Sequence, residues 1–312
     1  NYLKNKDYSY TPIWFMRQAG RYLPEFRKIR SQNPDFLKLC YNSTLASEIT
    51  LQPIKRFNLD AAIIFSDILV VLNALEQHVE FKGPNGPTIK NFSLERLLQV
   101  DKKNFISKLD PVYKAISLTR KKLNKEKSLI GFIGAPWTLI IYLLNLKKEN
   151  EINYDLVEKN RESIDLIINK LLKFLTYHLE YQIEAGVDII QIFDSWAGLI
   201  KEEEDLVEWC FKPNNYLVNF LRKNNTPVIC FPKGIKKKYK DFVKNVKPHG
   251  ISIDSDIDPL WAKENLDNSS IQGGINPELL LGDEKHLIIE VEKYLETFKN
   301  NSYIFNLGHG IL

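Results

Sequence analysis

Short apolar runs recur along the chain, each closed by a Gly, Pro or polar turn and followed by a longer stretch with helical spacing. Eight such runs, residues 13–16, 61–65, 129–133, 187–193, 227–231, 250–253, 270–273 and 303–306, are candidate strands. Most are continuously apolar rather than alternating, the pattern of a parallel strand covered on both faces. Between them, residues 94–123, 156–185, 202–224 and 284–300 carry helical periodicity. Eight strand-then-helix units over 312 residues predict an α/β fold in which residues 1–312 form a single (β/α)8 TIM-type barrel. The interval between strands two and three is the longest, and its V-E-F-K-G-P-N-G-P-T-I at 79–89 predicts a hairpin inserted beside the active face. No Lys-Ser or Lys-Thr follows its glycines, so it does not read as a phosphate loop. The chain stops at Leu312, directly after strand eight, and begins without methionine, so a C-terminal closing helix is expected to be missing.

One stretch bears on the membrane question. Residues 129–146 run for 18 positions without a charge, the lower limit for a spanning helix. Gly131, Gly134 and Pro136 interrupt the run, which therefore reads as a buried strand, a turn and a helix. A mean hydropathy of −0.27, with 44% hydrophobic and 26% charged residues, fits a soluble globular protein. The net charge of +4 admits an acidic ligand without resembling a nucleic-acid-binding footprint. Cys40, Cys210 and Cys230 are odd in number and far apart, so neither a disulfide framework nor a metal site is indicated. No signal-like opening is visible, and the cytoplasm is the expected compartment.

The chemistry concentrates at the predicted strand ends. Arg17, Arg21, Arg27 and Arg30 fall within 14 residues, among Trp14, Phe15, Met16 and Tyr22. Arginine offers a planar fork of donors that matches carboxylate or phosphate oxygens two at a time, so the cluster reads as an anion site. In a (β/α)8 barrel the C-terminal strand ends face the active-site mouth. Arg17 and Arg21 follow strand one, Ser66 and Asp67 strand two, and Tyr142 lies beyond strand three. Asp194 and Ser195 close strand four, Lys233 follows strand five, Asp254 ends strand six, Asn276 follows strand seven and His309 follows strand eight. Asp67, Asp194 and Ser195 also suit helix capping, and Tyr142 suits packing in an apolar helix. Gly308 and Gly310 around His309 suggest close approach of the backbone to a ligand. Cys230 reads as a small buried hydrophobe. The Lys-rich 233–240 reads as a solvated face, and the acidic 202–205 as a helix N-terminus.

The run P-I-W-F-M-R-Q-A-G-R-Y-L-P-E-F-R closely resembles the signature of the uroporphyrinogen decarboxylase family. A-A-I-I-F-S-D-I-L, G-A-P-W-T-L, F-D-S-W-A-G, F-P-K-G and N-L-G-H-G resemble its later motifs in the same order, across nearly the whole chain. Leu72, Ser255, Gly274 and Asn276 depart from the family's usual residues, and none is a principal substrate contact. The resemblance implies a cytoplasmic, homodimeric, cofactor-free and metal-free carboxy-lyase. It would convert the four acetates of uroporphyrinogen III to methyls, giving coproporphyrinogen III for haem synthesis, with no nucleic-acid or membrane partner. By matching position, substrate would be held by Arg17, Gln18, Ala19, Arg21, Arg30, Asp67, Tyr142, Ser195 and His309. Asp67, Arg17, Tyr142 and His309 would be catalytic. The proton donor stays open among Arg17, Tyr142, an Arg-bound water and the substrate's own acid.

Other readings leave distinct marks. Corrinoid methyltransferases of the same superfamily use a His-x-Cys zinc site with a distant Cys, whereas Val228 stands two residues before Cys230 and no cysteine follows. A glycosidase would pair Asp67 with Asp194, but arginines do not suit neutral sugars. A Ser195 hydrolase would need a G-x-S-x-G elbow, and Phe193 occupies its first glycine position. A tetrapyrrole carrier would need the arginines without Asp67, Tyr142 and His309.

Overall fold

A computed structural model describes residues 2–5, 10–81, 86–148, 151–266 and 268–311, and the side chains of these except residues 4 and 5. Among the described residues seven strands form one parallel sheet in chain order: Ala61–Ile63, Ser128–Gly134, Ile189–Asp194, Val228–Pro232, Gly250–Ile253, Ser270–Gly273 and Tyr303–Ile304. Helices lie between successive strands, among them Lys102–Lys122, Tyr154–Ala185, Lys212–Lys223, Tyr239–Val246 and Glu284–Thr297. The sheet curls, because residues 12–14 bond to both of its edges. Asp60 N donates to Ile13 O at 2.9 Å, Phe305 N to Pro12 O at 2.8 Å and Trp14 N to Phe305 O at 3.3 Å.

The first predicted strand needs correction. Residues 13–16 contribute a single parallel bridge, Ile13 to Phe305, rather than a strand. Side chains take the amides that a ladder would use: Phe15 N donates to Gln18 Oε1 at 3.0 Å and Met16 N to Asn306 Oδ1 at 3.1 Å. The ladder therefore stops early, and the chain turns into the arginine segment. Residue 17 takes a left-handed φ of 60° there, a conformation that side-chain-bearing residues adopt only when their surroundings impose it.

Local chemistry explains the other boundaries. The apolar run 129–146 resolves into the strand Ser128–Gly134, a turn at Ala135 and the helix Pro136–Leu143, with the fixed φ of Pro136 starting the helix. Among the described residues no helix is long and apolar enough to cross a membrane. The predicted helix 94–123 is two, Leu94–Gln99 and Lys102–Lys122, because Asp101 starts the second by accepting Asn104 N at 2.8 Å. The segment 202–224 holds a short helix Glu203–Leu206, a π turn Val207–Phe211 and the helix Lys212–Lys223. Its acidic start is not wholly solvated, since Asp205 is buried and accepts both Nη atoms of Arg161 at 2.8 and 3.0 Å.

Inside the curl, Trp14, Met16, Ala61, Ile130, Ile189, Ile229, Phe231 and Ile304 form one apolar cluster. A polar layer lies with it. Trp14 Nε1 donates to Gln272 Oε1 at 2.9 Å, and Gln272 Nε2 donates to Gln191 Oε1 at 3.1 Å and Ser252 Oγ at 2.6 Å. These amides are fully buried and partnered, the condition under which polar groups are tolerated in a core. A larger core joins the outer face of the sheet to the helices. Beside the mouth, His78–Glu80 pairs antiparallel with Thr88–Lys90, Val79 opposite Ile89. The tip of the predicted hairpin, residues 82–85, lies outside the described residues.

Candidate active site

A cavity of about 680 Å³ opens at the C-terminal ends of the strands. Phe132, Phe193 and Phe231 line it from three adjacent strands, with Phe132 and Phe193 edge to face at 5.8 Å. One wall is aromatic as well: Phe65 meets Phe26 and Phe36 at 5.8 Å each, and Phe36 meets Phe81 at 4.9 Å. Arg17, Arg21, Arg30 and Lys233 line this box, with Asp67 the one carboxylate among the described lining residues. Among the described lining residues, four cations against one anion beside an aromatic wall make a container for a polyanion.

Asp67 sits in the turn after Ala61–Ile63. Its Oδ1 accepts Leu69 N at 2.8 Å, so one oxygen stabilises the turn, while the residue faces the cavity. Burial pushes its carboxyl up to about 6, against the pull of the Leu69 amide and the Arg17 guanidinium. At neutral pH it is largely ionised. Tyr142, on the helix Pro136–Leu143, packs edge-on to Trp196 at 6.2 Å, and burial raises its phenol. His309 is half-buried; burial, then Lys233 and Arg17, hold its imidazole below the usual histidine range, so it is neutral at pH 7. Arg30 lies over the Phe36 ring at 5.8 Å, which fixes its approach to the cavity. Ser195 and Ala19 complete the polar and tight parts of the lining.

The comparisons with known proteins agree with this geometry. The family model described as Uroporphyrinogen decarboxylase (URO-D) matches residues 1–312. The uroporphyrinogen decarboxylase of Orientia tsutsugamushi (strain Ikeda) is 45% identical over 311 residues, 97% of this chain and 90% of that protein. The chain belongs to the uroporphyrinogen decarboxylase family. The Rickettsia massiliae (strain Mtu5) uroporphyrinogen decarboxylase is 39% identical, covering 100% of this chain and 91% of that protein. Among solved structures, a methyltransferase from Methanosarcina mazei superposes with a TM-score of 0.72 at 17% identity, over 99% of this chain and 90% of that one, a likeness of fold.

Within this uroporphyrinogen decarboxylase family chain, Arg17, Ala19, Arg21, Arg30, Asp67, Tyr142, Ser195 and His309 all line the cavity. Gln18 does not. Its side chain is fully buried, with Nε2 donating to Ala61 O at 3.0 Å and Oε1 accepting Phe15 N, so it ties the arginine segment to the first sheet strand. Arg27 lines a smaller neighbouring cavity of about 400 Å³ with Arg21 and Arg30, and its Nη1 donates to Arg21 O and Tyr22 O. Asp194 is buried off the cavity, accepting Thr138 Oγ1 at 2.7 Å and Asn214 Nδ2 at 3.1 Å, so no glycosidase-like pair with Asp67 forms at the cavity. Cys230 is buried and its thiol is pushed up by burial. Lys233, placed by the sequence both after strand five at the mouth and at the start of a lysine run read as solvated, lines the cavity.

Both glycines of L-G-H-G have close protein neighbours, and Gly310 also lines the cavity. A Cβ at Gly308 would lie 2.4 Å from Ser255 N, and one at Gly310 would lie 2.5 Å from Arg17 Cδ and 2.7 Å from Cγ. Gly310 therefore makes room for the stem of Arg17. Gly310→Ala is expected to displace that guanidinium and lower kcat/KM by up to about 100-fold, the scale of an ångström-sized misplacement. Steady-state kinetics alongside circular dichroism check this; wild-type kcat/KM would show that Arg17 placement does not depend on Gly310.

Proposed function

We propose that this cavity converts the four acetate side chains of uroporphyrinogen III to methyls, giving coproporphyrinogen III without cofactor or metal. The observation that carries the reading is the single carboxylate among the described lining residues, Asp67, beside Arg17, Arg21, Arg30 and Lys233 in an apolar chamber. The substrate bears eight carboxylates, which call for this excess of fixed cations. Arg17, Arg21 and Arg30 grip carboxylates; Tyr142, Ser195 and His309 hold others. Loss of CO2 from a pyrrole acetate needs an electron sink, supplied when a ring α-carbon is protonated. The carbon–carboxylate bond then breaks, its electron pair passes into the ring, and an exocyclic methylene remains. Protonation of that methylene and loss of the α-carbon proton restore the pyrrole. Asp67, ionised at neutral pH, accepts the pyrrole N–H groups and stabilises the cation as it forms.

Several further elements complete this reading. Seven parallel strands among the described residues, joined at both edges by residues 12–14, support a (β/α)8 barrel in one domain, and the pairing of segments 78–80 and 88–90 supports a hairpin insertion beside its mouth. A cytoplasmic homodimer with facing mouths is the expected working form, which sedimentation checks. The deciding experiment is anaerobic incubation with uroporphyrinogen III and chromatography of the products. Coproporphyrinogen III is the expected product; unchanged substrate would overturn the assignment.

A further inference from the structure

The reaction requires a proton at a ring carbon, and the cavity contains several groups that could be asked for it. Arginine is too weak an acid at neutral pH, and the raised phenol of Tyr142 is weaker than an ordinary tyrosine. His309 is neutral, and Asp67 must remain ionised to hold the cation. Lys233 is different. It follows the strand Val228–Pro232 and lines the same cavity as Asp67. Among the described residues no ion pair joins its ammonium to a carboxylate.

Its backbone is pinned from three sides. Lys233 N donates to Asp194 O at 3.1 Å and Phe231 O at 3.0 Å, and Gly198 N donates to Lys233 O at 2.9 Å. The next residue, Gly234, donates its N–H to the buried Asp254 carboxylate at 2.7 Å, and Tyr239 OH donates to the same oxygen at 3.0 Å. Such a clamp fixes where the lysine stem leaves the rim.

We propose that Lys233 is the proton donor to the pyrrole α-carbon, a catalytic role resting on the decarboxylase reading above. Its ammonium gives one proton to that carbon, CO2 leaves, and solvent water protonates the exocyclic methylene. The neutral amine then takes the α-carbon proton back. Each acetate thus consumes one solvent proton, and Lys233 returns to its starting form.

The surroundings favour such a donor. Burial makes the ammonium more acidic than an ordinary lysine, with Arg17 and Lys147 acting in the same sense and Asp254 and Asp256 opposing them. His309, a neutral ring, lines the same cavity. A lysine tuned toward neutrality is a recognised form of general acid–base catalyst.

The test compares wild type, Lys233→Met and Lys233→Arg in the full chain with uroporphyrinogen III. Loss of a general acid lowers kcat by about 100-fold or more, and Lys233→Arg, which keeps the charge but not the acidity, should not restore it. Added methylamine should partly rescue Lys233→Met. Near-wild-type kcat in Lys233→Arg, with the defect of Lys233→Met confined to KM, would overturn the proposal and leave a carboxylate clamp. If Lys233→Met does not fold, the Lys233→Arg kcat decides alone. Failure of the wild type to turn over would instead remove the decarboxylase reading itself.

Discussion

Asp67→Asn is expected to bind uroporphyrinogen III appreciably and to lose about 100- to 1,000-fold in kcat, the range seen when one preorganised electrostatic partner of a transition state is removed. The amide retains an oxygen for the Leu69 N–H, which Asp67 now holds at 2.8 Å, so the turn should survive. What disappears is the negative charge opposite a developing cation. Folding supplies an independent check. The folded-state carboxyl lies near 6, above its ordinary value of 3.8, so above pH 6 the ionised group opposes folding. Replacing it by a neutral amide should leave Tm at pH 7.5 unchanged or higher. An inactive protein that is no less stable marks a residue kept for chemistry.

The pH dependence follows with the same sign. Activity requires the ionised form and should fall as pH drops through about 6. Asp67→Asn should lack that acidic limb. Turnover near wild type in this variant, or an acidic limb that persists in it, would remove the central-carboxylate mechanism.

Arg17→Ala should damage binding and turnover together. A charged hydrogen-bonding group contributes about 1.5–3 kcal/mol, which corresponds to roughly a 10- to 150-fold rise in KM. Arg17 also acts on its neighbours through space. It lowers the Asp67 carboxyl and the His309 imidazole, so its removal should move the acidic limb to higher pH. A charge-free loss of packing would not shift that limb, and steady-state profiles from pH 5 to 9 separate the two. The left-handed φ of 60° at this position adds a further readout. Arg17→Gly should be about 1 kcal/mol more stable than Arg17→Ala, since glycine adopts that conformation without a side-chain penalty. Equal stabilities would show that the backbone here is not strained.

The rim chemistry was legible in the sequence because it is carried by local motifs. Asp67 and Ser195 follow apolar runs where parallel strands end, Tyr142 lies in the helix after the next strand, and Arg17, Arg21 and His309 follow the apolar runs 13–16 and 303–306; all reach one face of the sheet. The β-then-α alternation and the strand–turn–helix reading of the uncharged run 129–146 are equally local, set by periodicity and by Pro136. Other features depend on atoms distant in the chain. Residues 13–16 have the composition of a strand, yet Gln18 and Asn306 take the amides of Phe15 and Met16. Gln18 sits inside a binding motif, yet Ala61 draws its amide inward. Lys233 follows strand five yet also opens a lysine run that looks solvated, and contacts of its backbone and of Gly234 with Asp194, Gly198 and Asp254 decide between the two, with the lysine at the cavity. Gly310 lines the cavity as its motif suggests, but only the fold shows that it also makes room for Arg17, 293 positions earlier. The sequence by itself determined which elements form and which chemistries reach the rim, because periodicity and turn residues act over a few positions. Only the tertiary structure decided which of those side chains face the cavity and which brace it, because burial and hydrogen-bond partners are set by segments that meet when the sheet curls.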